Sequence, residues 1–524
     1  MQISQPANII PDRNQALNEI LTAGTLWDII VIGGGATGLG TALDAAARGY
    51  KVLLLEQCDF AKGTSGKSTK LIHGGVRYLA QGNFKLVREA SIERAILCKN
   101  AAHLVENKTF IVPVYTFLDA IKYRIGLKLY DWVSGKYSLG PSFFLNSKKA
   151  KEILPAVITK NLKGAILYHD GQFDDSRLAI NLMQSIWENN GVAFNYVQVK
   201  KLNKNEEGKI CGLQAIDLET GKEFSFMAKA VVNATGVFTD NILQMDSAGQ
   251  AVTIAASQGV HLVLPKFFYG SDKAMLIPKT SDGRVLFIVP WHQNILVGTT
   301  DTPVDTISIE PKALEEEIEF ILKTVSAYLI NKPGKKDVLS VFAGLRPLAV
   351  SNKGNKKTRE ISRSHKIIVS KSQLFSIIGG KWTTYRLMAE EMIDTIEKKM
   401  KWPHKKTITK NLSLHGNQQS TNRSNPHYYY GTDINNIDWD GEWISKPLNI
   451  CSSQVKWAVQ QEMCRTIDDF LSRRTRALLL DAAESIRIAP TVALLMAKEL
   501  NHDEIWIKEQ VALYYSVAQF YLLH

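Results

Sequence analysis

Three glycines, Gly33, Gly35 and Gly38, stand at GxGxxG spacing in the stretch GGGATGLGTALDAAARG, and Glu56 follows downstream. Such a set binds a dinucleotide: one glycine makes the turn, one admits a pyrophosphate, one lets a helix pack closely, and an acid about 20 residues on accepts from a ribose hydroxyl. The chemistry requires a strand, a helix and a second strand. DIIVI (28–32) and KVLLLE (51–56) are short apolar runs on either side of the glycine segment and supply the strands. The helix between them turns its N-terminal N–H groups and dipole toward the phosphates.

A second group of chemistry-bearing residues follows. The loop QCDFAKGTSGKSTKLIHGG carries Thr64, Ser65, Ser68, Thr69 and Lys70 and leads into IHGGVRYL (72–79), which holds His73, Arg77 and Tyr78. Such a loop either wraps a further stretch of cofactor or is a solvated surface loop. The adjacent Gly74 and Gly75 are explained by tight backbone geometry alone, but Arg77 beside Tyr78 is not.

The chain has 524 residues, 45% hydrophobic and 22% charged, which is globular composition with length for two to four domains and excludes a disordered scaffold. Five cysteines, with no CxxC spacing, point to neither a disulfide framework nor a zinc site. The first 25 residues lack a basic start followed by an apolar block, and no run of about 18 apolar residues occurs, so neither a signal peptide nor a spanning helix is expected. The net charge of +12 favours an acidic partner: anionic lipid, nucleic acid or a phosphorylated small molecule.

Several stretches occur in the order seen in one family. They are IGGGATGLGTALDAAARG, GTSGKSTKLIHGGVRYL, VNATGVFTD (232–240), VGTTDTP (297–303), FAGLRPL (342–348), IIGGKWTTYRLMAE (377–390) and AVQQEMCRTIDDFLSRRTR (458–476). Together they resemble the FAD-dependent glycerol-3-phosphate dehydrogenases of the quinone-reducing type over roughly residues 27–480. VNATG and GGK are common to many flavoproteins; HGGVRYL, GGKWTTYR and RTIDDFLSRRTR are narrower.

The resemblance implies a mixed α/β fold: a Rossmann-type FAD-binding domain, an antiparallel-sheet substrate domain and a helical C-terminal domain. Residues 1–26 read as an N-terminal extension. The FAD domain is expected in three pieces (about 27–110, 165–250 and 340–400), with the substrate domain mainly in 111–164 and 251–339. AVTIAASQGVHLVLP and RVLFIVPWHQNILVGTT alternate as antiparallel strands do. Residues 401–443 are polar and read as a linker or irregular arm, and 444–524 as helical. There Val455, Val459, Met463, Ile467 and Leu471, with Phe470 beside them, recur every four residues and predict one helical apolar stripe facing a core.

By the same resemblance the substrate is glycerol 3-phosphate, a phosphate dianion with a secondary alcohol whose C2 hydrogen leaves as hydride to flavin N5. That chemistry needs cations at one end and a proton acceptor near C2. Arg346, Arg363, Lys381 and Arg77 match the family's pocket cations, with Tyr78 beside them. His73 and His261 are both candidate proton acceptors, His261 being preferred, with an arginine-assisted water or alkoxide as the alternative; Arg346 joins the catalytic set. Cofactor contacts are implied for Gly33, Gly35, Gly38, Glu56, Thr64, Ser65, Ser68, Lys70, His73, Val199, Gly236, Asp301, Gly380, Lys381 and Thr383. No metal is implied.

The family's quinone acceptor implies peripheral attachment to an anionic membrane surface, at the cytoplasmic face of the inner membrane, with a homodimer possible. The stretch 115–145 interleaves Lys122, Arg124, Lys128 and Lys136 with Tyr123, Tyr130, Trp132 and Phe143, as an interfacial helix does, though a partly buried helix with a solvated basic face reads the same way. The basic regions 332–336 and 353–357 are further candidates. Competing readings are an oxidase that passes electrons from glycerol 3-phosphate to O₂, an amine or 2-hydroxy-acid oxidase, and a flavin-bearing nucleic-acid-binding protein. The basic residues form no recognisable nucleic-acid module, and no nucleic-acid partner is expected.

Overall fold

β-Branched and leucine-rich runs bounded by glycine turns become the central strands of a parallel sheet. The computed structural model describes residues 10–75, 79, 82–249, 252–280, 283–349 and 365–523. The strand Leu26–Ile32 lies between Val52–Leu55 and Glu223–Asn233, parallel to both, with Val192–Phe194 and Leu374–Ile378 extending the parallel array. All four residues of Val52–Leu55 are buried, as expected where helices cover both faces of a parallel sheet. The helix Ala36–Ala47, rich in alanine and glycine, packs against the helix Tyr385–Met400 at short range; a side chain at Gly40 would meet the Tyr385 ring.

Among the described residues the second sheet has ten strands. Ile254–Pro265 pairs antiparallel with Asn294–Gly298 on one side and with Ser340–Ala349 on the other, and Leu286–Trp291 forms a hairpin with Asn294–Gly298. Val105–Val114 and Gly164–Phe173 add an antiparallel pair, and Leu71–Ile72 adds the edge. The return to the nucleotide domain near 165 and the segment from 340 therefore each begin with a strand of this second sheet. Both segments cross between the sheets, so their ends are tied to both.

The C-terminal helices, among them Ser452–Gln461, Ala482–Leu500 and Glu504–Ala518, share a hydrophobic core with Val263, Val289, Trp291 and Phe342 of the second sheet. The four-residue repeat from Val455 to Leu471 does not run along one helix. The helix ends at Gln461, Met463 turns left-handed at φ 49°, and the Asp469 carboxylate accepts from the Arg465 and Thr466 amides to start a fresh turn. The core assignment nevertheless holds, because Val455, Met463, Ile467, Phe470 and Leu471 are all buried. Residues 401–443 form a packed arm: Thr407 and Thr409 hydroxyls donate to Asp44, and Leu414, Tyr429 and Tyr430 are buried. At the other end the helix Arg13–Thr22 is fastened by Arg13, whose guanidinium meets Asp217 at 2.7 Å.

Candidate active site and its cofactor cavity

One cavity of about 980 Å³ runs between the two sheets, at the upper end of the range for cofactor sites, about 300–1,000 Å³. Its first end is built on the glycine turn. Gly33 sits at φ +109°, where a Cβ would lie 2.7 Å from the Ala234 carbonyl oxygen, so only glycine is unstrained there. Gly35 caps the helix Ala36–Ala47, and the Ala36 amide donates to the Ser65 hydroxyl at 2.9 Å. Gly38 does not line the cavity; a Cβ there would lie 1.8 Å from the Gly33 oxygen, which is the close helix packing expected of it.

Glu56 lines the cavity at the end of its strand. Its carboxylate accepts from the Gly34 amide at 2.6 Å and the Cys58 amide at 2.8 Å, and burial raises its pKa. Thr64, Ser65, Ser68, Val199, Gly236, Gly380, Lys381 and Thr383 line the same cavity. Lys70 does not. Its ammonium is buried behind the loop, donating to both Asp175 carboxylate oxygens and to the Gly66 carbonyl, each at 2.7 Å. Its partner lies 105 residues away in the sequence, so the loop alone gave no sign that Lys70 is a fastener rather than a cofactor contact.

The polar middle of the cavity is carried by the second sheet. Ile254–Pro265 and Ser340–Ala349 place Ser257 opposite Arg346 and His261 opposite Phe342. The Arg346 guanidinium donates to the Gln258 carbonyl at 3.2 Å, the Thr299 hydroxyl at 3.0 Å and the Thr300 carbonyl at 3.0 Å, and lies 3.6 Å from Asp301. A Cβ on Gly259 would fall 2.2 Å from this guanidinium, so the glycine makes room for it. Asp301 also accepts from the Ser257 hydroxyl.

His261 is buried, stacks on Phe342 with ring centroids 5.0 Å apart, and shares a 2.9 Å hydrogen bond between Nε2 and the Thr69 hydroxyl. Burial, reinforced by the positive charges of Arg346 and Lys70, holds its pKa well below 6.5, so the ring is neutral at pH 7. His73 is half-buried and lines the cavity beside Gly75. The backbone between them is pinned: the Gly74 amide donates to the Tyr130 hydroxyl at 3.0 Å and to Asp170 at 3.2 Å, and Arg94 bridges the same two groups. Arg77, Tyr78 and Arg363 lie outside the described residues. Thr69 of the quoted loop lines the cavity, as do Arg284 and Thr299, which were not singled out by sequence. Thr299 lies in the quoted VGTTDTP stretch; Arg284 had no signal beyond its charge.

The far end is mostly apolar: Phe110, Val112, Leu127, Leu276 and Phe287 line it beside Arg284, with Lys122 and Tyr123 contributed by the helix Phe117–Ser134 that closes it. That helix buries Leu127, Tyr130 and Val133 and exposes Phe117, Leu118, Ile121, Ile125 and Trp132, with Leu118 at 81% and Trp132 at 77%. Lys122, Arg124 and Lys128 are exposed alongside.

Residues 28–384 match the FAD dependent oxidoreductase family, and 429–506 match the C-terminal domain of alpha-glycerophosphate oxidase. The chain is 37% identical to a probable mitochondrial glycerol-3-phosphate dehydrogenase of Caenorhabditis elegans, over 94% of this chain and 73% of that protein. It is 36% identical to the mitochondrial glycerol-3-phosphate dehydrogenase of Homo sapiens, over 97% and 75%. The glycerol-3-phosphate dehydrogenase of Bacillus halodurans, solved with FAD, superposes with a TM-score of 0.79 at 28% identity, covering 97% of both chains. L-alpha-glycerophosphate oxidase of Mycoplasma pneumoniae, at 16% identity and TM-score 0.58 over 74% of this chain and 98% of that one, shares the fold. The glycine turn, the helix N-terminus and the long cavity fit FAD. The chain belongs to the FAD-dependent glycerol-3-phosphate dehydrogenases, an oxidoreductase family whose cofactor is FAD.

Proposed function

We propose that this enzyme oxidises sn-glycerol 3-phosphate to dihydroxyacetone phosphate and delivers the electrons to a membrane quinone. The observation that carries the reading is the continuity of one cavity from the glycine turn, through Arg346, Lys381 and His261, to an apolar end beneath the helix Phe117–Ser134. A three-carbon phosphate ester has no use for Phe110, Val112, Leu276 and Phe287, whereas a lipid-soluble acceptor does.

FAD held by the glycine turn and the loop would supply a hydride acceptor and electron carrier at this site. Arg346 and Lys381 hold the substrate's anionic end, the guanidinium already oriented by the Gln258, Thr299 and Thr300 oxygens. Neutral His261 takes the C2 hydroxyl proton; Thr69 fixes its Nε2, and among the described residues its buried Nδ1 has no hydrogen-bond partner. His73, at the mouth of the pinned glycine loop, is the alternative acceptor. Arg77, Tyr78 and Arg363 belong to the proposed substrate set on the resemblance alone.

Among the described residues no helix is long and apolar enough to cross a membrane. Attachment is therefore proposed to be peripheral, at the cytoplasmic face of the inner membrane, with the apolar stripe of Phe117–Ser134 in the interface and its lysines among anionic headgroups. The names of the relatives quoted above place those proteins in mitochondria. One observation favours O₂ as acceptor instead, namely the match of 429–506 to an oxidase's C-terminal domain. The test is to reduce the enzyme with glycerol 3-phosphate and follow reoxidation by a soluble quinone analogue and by air-saturated buffer. Much faster reoxidation by the quinone supports the proposal; stoichiometric peroxide at a rate equal to turnover replaces it with the oxidase.

A further inference from the structure

The segment RTIDDFLSRRTR (465–476) contributes no residue to the cavity, yet it holds a dense set of buried charges. Arg473, Arg474 and Asp468 find partners on the loop after the second strand. Asp59, fully buried, receives Arg473 and both terminal nitrogens of Arg474, one of them at 2.9 Å. Asp468 accepts from Lys62 at 2.6 Å and from Arg473 at 2.8 Å. Burial alone would raise the Asp468 pKa, but Arg473 and Lys62 overcome it and hold the carboxylate ionised. Lys62 reaches on to Glu310 at 3.1 Å, and Glu310 takes Lys67 and the Tyr521 hydroxyl, the latter at 3.0 Å.

The other side of the same loop is cavity wall: Gln57, Ala61, Lys62, Gly63, Thr64 and Lys67 all line it. Of the loop's charged anchors, Lys70 is held by Asp175, whereas Asp59, Lys62 and Lys67 are held from outside the nucleotide sheet, by the C-terminal region and by Glu310. We propose that this ion-pair chain is a latch in which Asp468 and Glu310 act as positioning residues for the FAD-binding loop, so that the C-terminal domain governs release of the cofactor. Release of a molecule enclosed between two sheets requires a wall to move. This wall moves only if Lys62 and Lys67 leave their acids, and separating a buried charge from its partner is costly because the remaining charge stays desolvated.

The test uses full-length holoenzyme and reads the rate of FAD release by recovery of flavin fluorescence in the presence of a flavin scavenger. D468N and E310Q are expected to release FAD at least about tenfold faster than wild type, and D468E to restore most of the retention. Y521F, which removes one hydrogen bond and leaves every charge paired, folds even if the charge variants do not, and is expected to release FAD about threefold faster. E93Q serves as control: it breaks a comparably buried pair with Arg386, neither member of which lines the cavity. It should lower Tm while leaving the release rate within twofold. Unchanged release in Y521F and in the folded charge variants overturns the latch. Slower release also overturns it, since Lys62 and Lys67 would then be turning to the cofactor's diphosphate once freed.

Discussion

Arg346→Ala isolates the anion-holding part of the site. The guanidinium has three fixed hydrogen bonds at 3.0–3.2 Å and a side chain 20% exposed, so it is already oriented and partly desolvated before substrate arrives. Losing one partner of such a charge-assisted contact costs about 2–5 kcal/mol, and each 1.4 kcal/mol is about tenfold. We therefore expect kcat/KM for glycerol 3-phosphate to fall by about 30-fold to 4,000-fold. Stability should also drop, by about 1–3 kcal/mol, because the buried Gln258 and Thr300 carbonyls lose a donor. Arg346→Lys should recover little, since one ammonium cannot span three acceptors. The assay is the anaerobic rate of flavin bleaching against substrate concentration, with the flavin-to-protein ratio measured on the same sample. A flavin-loaded variant within threefold of wild type would refute the assignment.

Three further outcomes follow from the same geometry. Gly33→Ala places a Cβ 2.7 Å from the Ala234 oxygen at a positive φ, so the purified variant should carry little flavin; full occupancy at normal stability would contradict the tight turn. Leu118→Asp combined with Ile121→Asp alters two side chains that are 81% and 59% exposed, so the fold should persist while binding to anionic vesicles falls at least about tenfold; equal co-sedimentation would move the interface elsewhere. Stability should be greatest near pH 6.5 and fall on both sides of it. Buried His103 is held to about 4, so the unfolded chain binds the extra proton as pH falls below 6.5, and up to roughly 3 kcal/mol is lost by pH 4. His415 has the opposite sign: burial opposes its charge, but Asp433 and Glu188 raise its pKa to about 9, so its contribution is complete below 6.5 and is lost as pH rises through 9. Denaturation midpoints flat from pH 4 to 6.5 would refute the His103 assignment, and flat from 6.5 to 9 the His415 assignment.

Features set by neighbouring residues were legible in the sequence. GxGxxG and the two apolar runs read directly as turn, helix and strands, because each depends on a few consecutive positions. Features set by distant partners were not. Lys70 looked like a cofactor contact until Asp175 appeared beside it, and Thr69 gained meaning only from His261, 192 residues on. The repeat from Val455 to Leu471 read as one helix because periodicity does not reveal that Met463 turns left-handed. Leu118, Ile121, Ile125 and Trp132 have the spacing of a core face; only the fold leaves them exposed. The apolar end of the cavity is assembled from two separate strand pairs and a helix, and no stretch of sequence contains it.

The most direct test is anaerobic mixing of the purified holoenzyme with glycerol 3-phosphate and with its C2-deuterated form. The account predicts bleaching of the flavin spectrum by one equivalent of substrate, slowed severalfold by deuterium at C2. A flavin that stays oxidised, or one reduced equally fast with either isotope, would contradict C2 oxidation as the chemical step of this site.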